Sequence, residues 1–186
     1  MSSGNRTPAD PGRIAEAASV RPVKAEDAEA VARLFFGAKR AAMPYLPELH
    51  SDQETFAWIA DVVLAEHETY VAEVDGALVG FLALEGDLLG HLYVLPDRQG
   101  VGVGSRLLAQ VKRLRPDGFR LYVFQRNTRA RTFYERRGLS LVELGDGSWN
   151  EEGEPDALYE WRPGAGPYDP ARRRENRRTP SDESGE

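Results

Sequence analysis

Apolar positions recur along the chain at two periods, and the switches between them predict its elements. Residues 20–23 read as a short strand. Residues 27–40 carry Ala28, Val31, Leu34, Phe35 and Ala38 at the i, i+3, i+4, i+7 spacing of an amphipathic helix. The run Met43-Pro44-Tyr45-Leu46-Pro47 ends it. Ser51 with Glu54 three residues on is a capping box. The helix it opens is expected to reach Ala65, with Phe56, Ile59, Ala60 and Val63 inward. Strands follow at 70–74, 77–84 and 88–95. Asp75-Gly76 is a hairpin turn of the kind that needs positive φ. Residues 77–84 are almost continuously apolar, so both faces of that strand are expected to be covered.

Beyond residue 102 the helical period returns, with Val103, Leu107, Leu108, Val111 and Leu114 on one stripe that stops before Pro116. A strand at 119–124, a helix from Asn127 to Arg137 closed by Gly138, and strands at 139–144 and 157–161 complete the pattern. The order β α α β β β α β α β β describes a mixed, mostly antiparallel sheet rather than a doubly wound one. Residues 1–18 and 163–186 are rich in Pro, Gly and charge and are read as disordered tails around one folded domain, 19–162.

Composition narrows the chemistry. The 186 residues contain no Cys, which excludes a disulfide framework, a thiolate metal site and a cysteine nucleophile. No apolar run approaches the roughly 20 residues that span a bilayer, and the first residues lack the apolar core of a signal peptide. A cytoplasmic location is the expectation. The net charge of −6 argues against binding driven by nucleic-acid phosphates. From Pro163 onward the charges cancel, so the folded part carries the excess of acid. An acidic body mildly favours a cationic substrate such as an amine.

The stretch from His91 to Lys112 holds the strongest signal: a strand, a glycine-spaced loop and a helix. Gly100, Gly102 and Gly104 remove β-carbons where a backbone must approach an anion. Three phosphorylated cofactors compete for such a loop. A P-loop requires a lysine, and Gly104-Ser105-Arg106 lacks one. A dinucleotide loop requires GxGxxG and a following acid, and neither is present. The pyrophosphate of an acyl-coenzyme A remains.

The segment VLPDRQGVGVGSRLL resembles the acyl-CoA loop of the GNAT acetyltransferase superfamily, with Gln99, Gly102 and Gly104 on its pattern and Gly100 in addition. A second stretch, with Asn127, Ala130, Phe133, Tyr134 and Gly138, is similar to the family's other signature. The resemblance covers residues 20–162. It implies a GNAT fold of the α/β (α+β) type, about seven strands flanked by four helices, and an acetyl-CoA-dependent N-acetyltransferase without a metal. By that resemblance the pyrophosphate would lie on Gln99, Gly100, Val101, Gly102, Val103, Gly104 and Ser105. The pantetheine arm would run along Leu92, Tyr93 and Val94, with Asn127 and Tyr134 also at the coenzyme. Gly90 would ease a bulge or splay of that strand. A substrate amine would attack the thioester directly, a main-chain N–H near Val94 would face the oxyanion, and Tyr134 would protonate the departing sulfur. His91 is the candidate base, although strand alternation sets it opposite Leu92 and Val94. Tyr45, Glu48 and His50, in the loop between the first two helices, are candidate substrate contacts, as is the 145–156 loop with Trp149. The acceptor amine and a homodimer stay open. Two other readings also stand at this point: a non-catalytic acyl-CoA-binding module, and a toxin-type acetyltransferase acting on aminoacyl-tRNA.

Overall fold

The computed structural model describes residues 18–164. The expected tails therefore lie almost wholly outside the described residues. Strand β1 (Ser19–Pro22) leads through a 3-10 turn into α1 (Ala28–Ala42). Helix α2 (Asp52–Trp58) continues as a π-helical turn, Ile59–Val63, and a last turn, Leu64–Glu66. The meander β2 (Glu68–Val74), β3 (Ala77–Glu85) and β4 (Leu88–Val94) follows. Then come α3 (Val103–Leu114), β5 (Phe119–Phe124), α4 (Thr128–Glu135), β6 (Ser140–Leu144) and β7 (Asp156–Trp161). The strands form one sheet in the order β1-β2-β3-β4-β5-β7-β6. All neighbours are antiparallel except β4 and β5, because α3 carries the chain back across the sheet between them.

Two apolar layers hold helices to the two faces. Phe81 and Ala83 of β3 pack with Val31, Leu34 and Phe35 of α1 and with Ile59 and Val63. Leu82 and Leu84, one residue out of phase, pack with Val103, Leu107, Leu108 and Val111 of α3. The unbroken apolar run of β3 is thus the mark of a strand covered on both sides. Asp75 and Gly76 have φ of 50° and 77°, as the hairpin requires.

Two helix expectations are corrected. Phe56 is exposed, since burial begins only in the π turn, where Ile59 and Val63 face α1. Helix α4 ends at Glu135 rather than Arg137, because the Leu139 and Arg137 N–H groups both fold back onto the Tyr134 carbonyl. Among the described residues no helix is long and apolar enough to cross a membrane.

Candidate active site

The site begins where two strands part. β4 and β5 are paired only at Leu88↔Arg120 among the described residues, so they diverge beyond it. On the other side of β4, Ala83 pairs with His91 and Leu84 with Leu89. Gly90 is the extra residue of a β-bulge, at the position expected for it. The Leu95 N–H donates to the Val79 carbonyl at 2.9 Å. Antiparallel alternation then turns the main-chain groups of Leu92 and Val94 away from β3 and into the gap. A cavity of about 580 Å³ occupies that gap.

One end of the cavity is made by the glycine loop. The Gln99 side chain donates to the Val94 carbonyl at 2.9 Å and ties the loop to the strand. Gly100 and Gly102 have φ of 80° and 96°, where a β-carbon is costly. A β-carbon on Gly104 would come within 3.3 Å of the Phe133 ring. Val101 and Val103 turn their side chains into the core, and neither is on the cavity wall, which Gln99, Gly100, Gly102, Gly104 and Ser105 line here. The first turn of α3 has N–H groups without intrahelical acceptors, and the positive end of its dipole points the same way. Loop and helix together form a cradle for a phosphate-bearing group.

Helix α4 supplies side chains to the same cavity. Asn127 caps it, its Oδ1 accepting from the Ala130 N–H at 3.1 Å, which leaves its NH2 as the donor on the cavity wall. Arg137 reaches back to α3, where its Nε and Nη2 donate to Ser105 Oγ at 3.1 and 2.6 Å. Its guanidinium lies 3.8 Å from the Phe133 ring centroid. Burial, then the neighbouring Arg136, lowers its pKa. Sequence reasoning passed over Arg137. The available signal was its place, a cation three residues after Tyr134 at the C-terminal end of the expected helix.

Tyr134 is 7% exposed and stands between the two ends. Burial, then the nearby Tyr93, pushes its phenol well above the usual range, so it is protonated at neutral pH. Tyr93 approaches from the opposite face of the sheet and is raised likewise, by burial and then by the charge of Glu152.

His91 has a setting unlike that expected of a base. Its ring lies among Phe35, Trp58, Phe81 and Tyr93, with centroids 5.3 to 6.2 Å away. Its Nδ1 is buried without a hydrogen-bond partner. Burial, then the charges of His67 and Lys39, lowers its pKa to about 4. Strand alternation explains this: His91 and Tyr93 share the face packed against α1. The ring contributes to the cavity wall as a neutral, packed group.

The far end is built from the end of α1 and the loop between β6 and β7. Ala38, Ala42 and Met43 form one wall, and Trp149, Asn150 and Glu152 another. Asn150 stitches the loop, its Nδ2 donating to the Glu154 carbonyl at 2.9 Å and to Asp156 Oδ2 at 3.2 Å. Three contacts join this loop and its base to the chain around α1. Lys39 pairs with Glu152 at 3.4 Å, and His50 with Glu151 at 2.9 Å. Arg126, which pairs with Glu154 at 3.6 Å, stacks 4.0 Å from the Tyr45 ring centroid. Of the sequence-predicted substrate residues, His50 and Tyr45 thus brace the wall from outside. Glu48 is exposed and accepts from Arg40 at 2.8 Å. None of the three lies on the cavity wall. Glu152 does, and it was missed because nothing in its local sequence distinguishes it from the acids beside it.

Charge divides along the cavity. Arg137 is tied to Ser105 at the loop end, and Glu152 and Asp156 belong to the far end. The arrangement suits an anionic group at one end and a cationic one at the other, with a protonated phenol between.

The fold has relatives among known proteins. Residues 65–138 match the family model described as an acetyltransferase (GNAT) domain. The chain is 29% identical over 140 residues to the peptidyl-lysine N-acetyltransferase YiaC of Escherichia coli, covering 67% of this chain and 93% of that one. Among solved structures, apo YjaB from Escherichia coli superposes with a TM-score of 0.66 at 22% identity, covering 77% of this chain and 97% of that one. The PaiA N-acetyltransferase of Thermoplasma acidophilum, solved in complex with coenzyme A, superposes with a TM-score of 0.58 at 20% identity over 78% and 98% of the two chains.

Proposed function

We propose that the chain is a GNAT N-acetyltransferase and that it moves an acetyl group from acetyl-CoA to the side-chain amine of a peptidyl lysine, by direct attack in a ternary complex. The observation that carries the reading is the place of Tyr134, a buried and protonated phenol between a phosphate cradle and an acidic pocket. The lysine acceptor draws support from the likeness to YiaC and from the carboxylates of the far end. Those carboxylates also disfavour an aminoacyl-tRNA, whose phosphates they would repel.

The residues present fit acetyl-CoA. The cradle of Gly100, Gly102 and the α3 N-terminus would hold the pyrophosphate, with Arg137 beside it. The outward main-chain groups of Leu92 and Val94 would pair with the amides of the pantetheine arm. Val94 would also present an N–H toward the thioester oxygen as negative charge gathers there. Bound in this way, the coenzyme supplies an acetyl group activated as a thioester. Tyr134 keeps its proton until negative charge develops on the sulfur, then donates to it.

Tyr134→Phe tests the role. Turnover is expected to fall by about 10²-fold, the lower end of what a general acid contributes. The acetyl-CoA dissociation constant, read by calorimetry, should change less than about threefold, since the lost hydroxyl acts on the leaving sulfur rather than on the pyrophosphate. Unchanged turnover on a lysine peptide would remove Tyr134 from the chemistry.

A further inference from the structure

The far end of the cavity holds two carboxylates of different standing. Asp156 is committed to the loop: it is 3% exposed and accepts from Asn150, and its Oδ1 would collide with a β-carbon on Gly145. Burial and the Asn150 hydrogen bond hold the carboxylate in place. Glu152 is different. Its side chain is 19% exposed and lies on the cavity wall. Its partner is a primary ammonium, that of Lys39, held at a long 3.4 Å. The same ammonium lies 5.8 Å from the Phe35 ring centroid, and Phe35 packs against Tyr93.

We infer that Glu152 is the anchor for the ammonium of the acceptor, and that Lys39 occupies this anchor while the acceptor is absent. The inference rests on the lysine-acetylating reading and names how that site selects its substrate. The resident cation shows which chemistry the anchor accepts: a primary ammonium on a flexible alkyl chain, which is what a peptidyl lysine presents. A long, partly exposed ion pair is weak and exchanges readily for an equivalent one. The neighbouring acids are otherwise engaged, Glu151 with His50 and Glu154 with Arg126. The groups facing Glu152 from other elements are Lys39 of α1 and Tyr93 of β4, whose phenol feels the Glu152 charge and in turn raises that of Tyr134. An ammonium seated on Glu152 therefore waits beside the two phenols. It carries its nitrogen to the thioester once its proton has passed to solvent water at the open mouth of the cavity.

The test uses the full chain and a glycine-flanked lysine peptide blocked at both termini. Calorimetry of peptide binding to the enzyme saturated with coenzyme A reads the anchor without chemistry. The wild type is expected to bind, Glu152→Gln to bind about tenfold or more weakly, and Lys39→Met to bind more tightly because its competitor is gone. In turnover assays Glu152→Gln should raise the peptide KM by a similar factor while the acetyl-CoA KM stays within about twofold. Asp146→Asn, exposed in the same loop, should change neither constant. Equal peptide binding by wild type and Glu152→Gln overturns the anchor, as does no binding by the wild type or weaker binding by Lys39→Met. Peptide binding that depends on Glu152, with no acetyl transfer by the wild type, leaves the anchor standing and removes the transfer reading.

Discussion

The two ends of the cavity are made of different material. The loop end is main chain: the outward groups of Leu92 and Val94, a loop with φ of 80° and 96° at Gly100 and Gly102, and the first turn of α3. The far end is side chain, gathered from stretches far apart in sequence; Lys39 and Glu152 are 113 residues apart. A site made of backbone must specify backbone shape, and shape is written locally, in glycine spacing and helix starts. A site made of side chains needs only that some residue of the right charge arrive there. The first kind is shared among proteins that bind one coenzyme. The second is free to differ with each acceptor.

This contrast predicts that substitutions at the two ends separate cleanly in kinetics. The largest separation is expected for Arg137→Ala, because Arg137 is the side chain that completes the backbone cradle. Losing a charged donor of about 1.5–3 kcal/mol should raise the acetyl-CoA KM by about 10- to 150-fold. The peptide KM should hold. A rise in the peptide KM instead would show that the two ends are not independent. Gly102→Ala comes next. A β-carbon at a φ of 96° costs about 1–2 kcal/mol, or about 5- to 30-fold in coenzyme affinity if the loop gives way to relieve it. Unaltered affinity would mean that the loop backbone does not shape the cradle. Trp149→Ala probes the other end. Its ring is 59% exposed and lies 4.6 Å from that of Tyr122, at the mouth of the acidic pocket. A few-fold rise in peptide KM with no change in the coenzyme constants is expected, a modest loss because the ring is still open to solvent.

The same contrast explains what could be read from the sequence. The order of elements along the chain, the twice-covered β3, the capping box at Ser51 and the α3 stripe each follow from a local period or cap, and the structure has them. The glycine loop and the Asn127–Tyr134 face were legible for the same reason. The π turn after Trp58 was not, since one extra residue in a helical turn leaves the apolar pattern almost intact. Glu152 was not, because four acids stand between residues 150 and 157 and only the tertiary pairing with Lys39 singles one out. Tyr45, Glu48 and His50 were sought at the cavity for lying in the right loop. Their partners Arg126, Arg40 and Glu151 hold them outside it.

The smallest expected effect on catalysis belongs to His91, and it bears on where the far end stops. A proton acceptor there would make this residue part of the acceptor machinery. Its packing makes it part of the core. His91→Phe keeps an aromatic ring among Phe35, Trp58 and Phe81, removes a buried Nδ1 that has no partner, and should leave turnover at pH 7.5 within about twofold. A loss of about 100-fold, the scale of a missing general base, would return His91 to the chemistry. Stability gives an independent reading. The native pKa is about 4, below the ordinary 6.5, so between these values the unfolded chain binds a proton at His91 that the folded chain does not. The sign follows: the fold loses stability as pH drops from 6.5 toward 4, by about 2–3 kcal/mol at pH 4.5 from this residue, and no further below 4. Urea unfolding at pH 7.5 and pH 4.5 should show the variant losing less stability than the wild type by that amount. Equal losses would mean that the ring takes up its proton in the folded state, and that the aromatic cluster around it opens to let this happen.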